Sequence, residues 1–295
     1  VISRTLFPEV IFYVTGDRQM VEQNPRAFGA EMKIKHPRHA GFSRSTYGLL
    51  SLCTAIIVWQ LAAMFVVRNA FLLPSFTDVV EAAVKLAGTG EILLDLGVSL
   101  LHFAVGMGMA LAVGVPVGMA MGWFPKVDAV ANPLVELLRP IPPLAWIPFA
   151  IVWFGLTHES AGFVVFIGCV FPILINTYAG FSSVPRIYVE AARVLDCARD
   201  RDLIRHVALP ASIPSIVSGI RIAAGVGWMC LVAAEIFGAS QHGLGKMLWE
   251  FYNLHQMPNV VVYMIILGII GLVLDLLFRR YVNTRLLRWQ TGEVR

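Results

Sequence analysis

The chain has 295 residues, of which 57% are hydrophobic and 14% charged, with a formal net charge of +4 and a mean hydropathy of +0.72. So high an apolar fraction excludes an ordinary soluble domain and points to a polytopic membrane protein. The basic excess is explained by its placement relative to the membrane, described below, which leaves nucleic-acid binding without support.

Residues 1–46 read as a polar cytoplasmic tail. Their one apolar run, 6–14, is interrupted by Pro8 and is too short and badly flanked for a signal peptide, so the first span is expected to carry the chain into the membrane. The tail begins with a valine and receives no functional role. Crossing a bilayer takes about 20 mostly apolar residues. Segments near 49–67, 96–122, 129–154, 161–181, 213–237 and 259–278 meet that requirement. The ten-residue alternation of a barrel is missing from the sequence, so the expected fold is all-α with about six transmembrane helices. Residues 47–290 are read as one membrane domain.

Under that topology the basic residues divide unevenly. One side holds those of the tail, Lys126, the run Arg186, Arg193, Arg199, Arg201 and Arg205, and the C-terminal arginines from Arg279 onward. The other side holds Arg68, Lys85 and Lys246. The positive-inside rule then makes both termini and the 182–212 loop cytoplasmic. Cys53, Cys169, Cys197 and Cys230 lack C-x-x-C spacing and are read as free, buried, inert thiols.

After the first span, 76–86 has the pattern of an amphipathic helix on the outer surface, capped by Ser75 or Thr77. In the second span Gly106, Ala110, Gly114, Gly118 and Gly122 recur every four residues, placing small side chains on one face for close helix packing. Gly219, Ala223 and Gly227 repeat the pattern in the fifth span. The third span carries Pro140, Pro142, Pro143 and Pro148, so its helix is expected to break near 140–143. Such a break either lines a pathway or shapes packing. Pro142, Pro143 and Trp146 are therefore candidates for a pathway or gate.

Catalytic motifs are missing: the sequence has no H-E-x-x-H and no G-x-S-x-G. The stretch "SQHGLGKM", 240–247, has Ser240 and Met247 where a phosphate-binding loop needs Gly and Ser or Thr, so ATP hydrolysis is not expected in this chain. Ionisable residues within spans are expensive, and each calls for a reason. Arg139, Arg221 and Asp275 lie close enough to the cytoplasmic side to snorkel or pair. Glu235, near the outer end of the fifth span, is read either as a structural hydrogen-bonding group or as part of a pathway. His102 and Asn176 are read first as interhelical hydrogen-bonders, with Asn176 also a pathway candidate. Ion-coupled carriers usually show more midplane carboxylates or paired broken helices, so the energy source is expected outside the chain, with a stand-alone carrier or channel as the alternative.

The segment "EAARVLDCARDRDLIRHVALP", 190–210, is an island of charge between apolar runs. Ala191, Val194, Leu195 and Ala198 share a face, giving a short amphipathic helix. Leu203, Ile204 and Val207 are expected to form a second short helix that Leu209 and Pro210 end. Glu190, Ala191 and Ala192, then Leu209-Pro210, Pro214, "GIR" at 219–221 and "GW" at 227–228 resemble the signature loop of the membrane subunits of binding-protein-dependent ABC importers. "RPIPPLAWIPFAIVWFG" at 139–155, "FPILINTYAG" at 171–180 and "VAAEIFGASQHGLG" at 232–245 are similar to the nitrate, sulfonate, taurine and bicarbonate group of these permeases.

The resemblance implies a type I importer fold and a permease subunit for a small solute, in the inner membrane. It implies three partners: a second permease copy, a cytoplasmic ABC ATPase that binds ATP and Mg, and an extracytoplasmic solute-binding protein. Glu190, Ala191 and Ala192 would dock the ATPase. The loop departs from the family pattern at Asp196, where a turn glycine is usual, and by one extra residue before Leu209-Pro210. The turn is therefore expected to shift toward Cys197 or Ala198.

Overall fold

A computed structural model describes residues 44–281, except 198, 239 and 241. The tail up to residue 43 and the C-terminal arginines from Arg285 onward lie outside the described residues. The described residues fall into two units that divide after Ala55. Helix α1 (Arg44–Leu61) begins in the first of these and continues into a π-helical stretch, Ala62–Val67.

No strand occurs among the described residues. The second unit contains α2 (Phe76–Thr89), α3 (Glu91–Trp123), α4 (Pro125–Leu138), α5 (Ile147–Phe154) and α6 (His158–Ser182). It continues with α7 (Arg186–Val194), α8 (Asp200–Leu203), α9 (Leu209–Ile236), α10 (Leu244–Asn253) and α11 (Met257–Tyr281). Five segments are long and apolar enough to cross a membrane: 46–67, 91–123, 158–182, 200–236 and 257–280. The sixth expected span is a bent pair, α4 followed by Pro143–Phe154, turned by 86° at the proline cluster. Pro142 and Pro143 cannot supply the N–H groups that an unbroken helix needs there.

Ser75 caps α2 in a capping box: its hydroxyl accepts from the Asp78 N–H and Asp78 accepts from the Ser75 N–H. Helix α3 begins five residues earlier than the hydropathy reading placed it and is about 50 Å long at 1.5 Å per residue. The sequence had placed a separate short helix ending at Leu209-Pro210. Instead α8, a π-turn over Ile204–Ala208 and α9 run on continuously. In the wide turn the Leu209 N–H reaches the Ile204 carbonyl, and the looser coil accommodates the Pro210 ring, which would clash with a carbonyl in a regular helix.

Helix α6 is the centre of the unit, packed between α3 and α9. Ala110, Val165, Cys169, Val170, Ile173, Ala223 and Leu231 form the buried apolar cluster where the three meet. A Cβ at Gly106 would lie 2.5 Å from Val165 Cβ; at Gly114, 3.0 Å from Ile173 Cγ2; at Gly118, 2.5 Å from the Leu174 carbonyl oxygen; at Gly122, 2.5 Å from Phe181 Cβ. Residue numbers rise together along this seam, so α3 and α6 are parallel. On the other face Gly219 abuts Asn176 and Gly227 abuts Cys169, so α9 runs antiparallel to α6. A second apolar cluster joins α2, α10 and α11 through Val79, Leu86, Leu244, Phe251 and Tyr263. All four cysteines are free thiols. Cys169 and Cys230 are buried and Cys197 is half-buried, but Cys53 is exposed on α1 rather than buried.

Candidate functional site

The helix directions in space follow from this packing: the N-termini of α3 and α6 and the C-terminus of α9 lie at one end of the unit, and α7 lies at the other. At the α7 end the bundle is left by an amphipathic helix with no apolar neighbour of its own on its outer side. Ile187, Tyr188, Val194 and Leu195 are 68%, 55%, 86% and 79% exposed. Glu190 and Ala191 are exposed beside them, and Ala192 is half-buried. Large apolar side chains in contiguous exposure mark an interaction surface.

Helix α7 ends in a Schellman motif. The Cys197 N–H reaches the Ala192 carbonyl at 3.0 Å and the Asp196 N–H reaches the Arg193 carbonyl at 3.2 Å. Asp196 itself takes the left-handed conformation, φ 69°. The turn thus stays at Asp196 and does not move to Cys197, because a short aspartate side chain tolerates that conformation; Ala198, the other expected position, lies outside the described residues. Leu209 is half-buried and Pro210 exposed at the start of α9.

At the opposite end a polar cluster sits inside an apolar bundle. Glu235 of α9 is fully buried, as are Ser99 and His102 of α3. The Glu235 carboxylate accepts from the Ser99 hydroxyl at 2.8 Å, from His102 Nδ1 at 3.0 Å and from the Gly245 N–H at 2.8 Å. Ser99 Oγ in turn accepts from the Leu244 N–H at 2.9 Å. Asp95, one turn earlier on α3, accepts from the Tyr263 hydroxyl at 3.0 Å and from the Gly243 N–H at 3.4 Å. The Gly243, Leu244 and Gly245 N–H groups at the start of α10, which have no partner within that helix, are therefore taken by side chains of α3 and α9. Close approach explains the glycines here: a Cβ at Gly243 would fall on the Glu235 carboxylate, and one at Gly245 would lie 2.6 Å from the Val232 carbonyl oxygen. Gly243 also has φ 135°.

The five pathway candidates do not converge. Pro142, Pro143 and Trp146 belong to the bend between α4 and α5, where Trp146 joins Phe149, Trp153 and Phe163 in an aromatic cluster with ring centroids 6.2, 6.5 and 6.4 Å away. Asn176 is half-buried against Gly219 and donates 2.8 Å to the Pro172 carbonyl of its own helix, rather than across helices. Glu235 lies in the polar cluster. Arg221 and Asp275 do pair, at 3.2 Å, with Arg279 adding a second contact to Asp275 at 2.8 Å. Sequence reasoning missed Asp95, Ser99, His158 and Tyr263. The spacing of Asp95, Ser99 and His102, four and then three residues apart, is a polar stripe on one face of an apolar helix. That stripe was the available signal. No group of three metal-ligating side chains able to hold an ion occurs among the described residues.

Residues 114–286 match the family of binding-protein-dependent transport system inner membrane components. A putative ABC transporter permease of Methanocaldococcus jannaschii is 41% identical over 240 residues, covering 80% of this chain and 89% of its own length. The taurine transport system permease TauC of Escherichia coli is 32% identical, covering 84% and 91%. The nitrate import permease NrtB of Synechocystis is 31% identical, covering 88% and 92%. In fold, the chain is similar to a methionine ABC transporter, MetNI, in an inward-facing conformation. The TM-score is 0.58 at 20% identity, over 65% of this chain and 94% of that one. The chain therefore belongs to the binding-protein-dependent transport system inner membrane components, the multi-pass permease subunits of ABC importers.

Proposed function

We propose that this importer subunit passes a small anion, such as a sulfonate, nitrate or bicarbonate, across the inner membrane. The names of the relatives support that substrate class: taurine for TauC, nitrate for NrtB, and bicarbonate for CmpB of Synechococcus elongatus, which is 39% identical over 177 residues. A second copy of the chain completes the pathway, a separate cytoplasmic ATPase binds ATP and Mg, and an extracytoplasmic binding protein delivers the solute. Both termini are cytoplasmic by the distribution of basic residues. Residues 1–46 form a tail and 47–290 the membrane domain.

The observation that carries the coupling part of this reading is the uncovered apolar ridge of α7 beside Glu190. An amphipathic helix outside the bundle, with Val194 86% and Leu195 79% exposed, has the surface of a docking element. Glu190, Ala191, Ala192 and Asp196, with Leu209 and Pro210 supporting the following turn, form the contact to the ATPase. Pro142, Pro143, Trp146, Asn176 and Glu235, although apart within one chain, are the residues assigned to the pathway or its gate. The test is to tag the chain, solubilise it gently from its native membrane, identify co-purifying proteins by mass spectrometry and assay ATP hydrolysis. An ABC ATPase subunit that co-purifies with hydrolysis bears out the assignment. A folded chain that is consistently alone and silent toward ATP overturns it in favour of a carrier driven by an ion gradient. The binding protein encoded with the ATPase, screened against sulfonates, nitrate and bicarbonate, decides the substrate.

A further inference from the structure

The polar cluster continues outward. His102 Nε2 lies 2.7 Å from Nδ1 of His158, the first residue of α6, with ring centroids 5.0 Å apart. His102 is 1% exposed and Glu235 0%, whereas His158 is exposed. A chain of hydrogen bonds thus runs from solvent through two imidazoles to a buried carboxylate. We propose that His158 is the proton port of Glu235, and that proton uptake along His158, His102 and Glu235 loosens the first turn of α10.

The tautomers follow from the partners. A carboxylate only accepts, so His102 Nδ1 donates to Glu235, His102 Nε2 accepts, and His158 Nδ1 donates to it. A proton taken from solvent at His158 Nε2 releases the proton on His158 Nδ1 to His102 Nε2. The proton on His102 Nδ1 then crosses to Glu235 Oε1. One proton has been gained, each N–H bond broken is matched by one formed, and both histidine contacts survive with their direction reversed. No buried group has to open to water. The end state leaves Glu235 neutral, and a neutral carboxyl is a weaker acceptor than a carboxylate for the Ser99 hydroxyl and the Gly245 N–H.

Other titratable groups surround the chain. Glu91 and Asp95 lie on α3, Glu159 follows His158 on α6, His242 precedes α10, and Tyr263 on α11 donates to Asp95. Helix α10 itself carries Lys246 and Glu250. His242 and Glu91 act electrostatically on Asp95, and His158 and His102 act in the same way on Glu159. Among these groups the hydrogen-bonded route to Glu235 passes through His102.

The experiment uses the full-length chain in lipid nanodiscs, with glutamate labelled by carbon-13 so that its infrared bands separate from those of aspartate. A jump from pH 8 to pH 5.5 keeps surface glutamates, with ordinary values of about 4.3, ionised. The expected result is a protonated glutamate band that rises at once. It is accompanied by lower hydrogen-exchange protection of the 243–251 peptide, corrected for intrinsic rate, by at most about tenfold per pH unit for one linked proton. In His158→Gln the amide can donate or accept toward His102 but carries no proton inward. The same band amplitude is then expected, rising at least about tenfold more slowly because protons must wait for local opening. His242→Gln should rise like the wild type. No glutamate band in the wild type overturns the proposal, whether or not the variants assemble. So do equal rates in wild type and His158→Gln, or slowing in His242→Gln instead. None of these outcomes depends on an ATPase or a transported solute, so the inference can fail while the importer assignment stands.

Discussion

Glu235 and Asp275 are both carboxylates in long apolar helices, and the bundle treats them differently. Glu235 is fully buried and held by a hydroxyl, an imidazole and a backbone N–H. The Asp275 side chain is 36% exposed and is met by Arg221 and Arg279, themselves 49% and 51% exposed. Along α9, Glu235 and Arg221 are about 21 Å apart at 1.5 Å per residue. The interior site uses short, fixed donors whose positions are set by packing, so little freedom is lost in making the bonds. The rim site uses long cations that reach from their apolar stems toward the polar boundary. An interior charge is stable only when every partner is in place, while a rim charge has water and lipid headgroups as substitutes.

That contrast is broken most directly by Glu235→Ala. The Ser99 hydroxyl, His102 Nδ1 and the Gly245 N–H would be left buried without an acceptor. Each buried donor left without its acceptor costs about 1–3 kcal/mol. Thermal unfolding of the purified chain in detergent should show a large drop, with Glu235→Gln falling between the variant and the wild type because the amide restores part of the set. A melting temperature unchanged by Glu235→Ala would mean that α10 is held by its apolar contacts alone.

The next effect in size extends the contrast from charge to volume. Gly118→Leu introduces a side chain whose Cβ alone would sit 2.5 Å from the Leu174 carbonyl oxygen and 2.9 Å from Thr177 Cβ. Neither α3 nor α6 can give way without disturbing the seam at Gly114 and Gly122, and overpacking of this kind is worth about 1–3 kcal/mol. Gly225→Leu is the control, since nothing lies within 4 Å of its Cβ position. Equal melting temperatures for the two variants would remove the glycine face as a packing device.

How much of this was legible in the sequence depends on whether a signal was periodic. The four-residue repeat from Gly106 to Gly122 pointed to a close helix face because it recurs at the helical spacing. The prolines at 140, 142 and 143 pointed to a break because their chemistry forbids a regular helix whatever surrounds them. The polar cluster was only partly legible. Glu235 stood out as a charge within an apolar run, but Asp95 fell outside the second span as hydropathy drew it, since α3 extends one turn and more beyond its apolar stretch. Its partners come from α10 and α11, some 148 and 168 residues along the chain, and no local pattern relates them. The continuous α8–α9 helix was misread for the opposite reason: Pro210 is a strong local stop signal, and a π-turn that only the folded backbone reveals overrides it.

At the rim the expected effects shrink. Asp275→Asn removes the charge that Arg221 and Arg279 share, but all three groups are partly exposed and the pair is open to screening. A small change in melting temperature is expected, and raising the salt concentration should abolish the difference from wild type. A loss comparable to that of Glu235→Ala would show that the Arg221–Asp275 contact is sealed from water, and the distinction between interior and rim would fail for this pair.

The smallest expected effect on the fold is that of Glu190→Lys, and it is the most informative about function. Glu190 is exposed on α7, and surface substitutions of this kind usually change stability by less than about 0.5 kcal/mol. Helix α7 also keeps its Schellman end, since neither Ala192 nor Asp196 is touched. If α7 is the surface that an ATPase grips, reversing the charge beside its apolar ridge places a repulsive group against whatever basic partner Glu190 meets, and unlike charge screening at a distance, a contact of this kind is lost outright. Uptake and ATPase association should both fall while the melting temperature stays at the wild-type value. Normal association with normal uptake would leave α7 as a solvated linker, and the exposed Ile187, Tyr188, Val194 and Leu195 would then need a different partner to cover them. Loss of stability without loss of association would instead put Glu190 among the groups that hold α7 to the bundle, on the Glu235 side of the contrast.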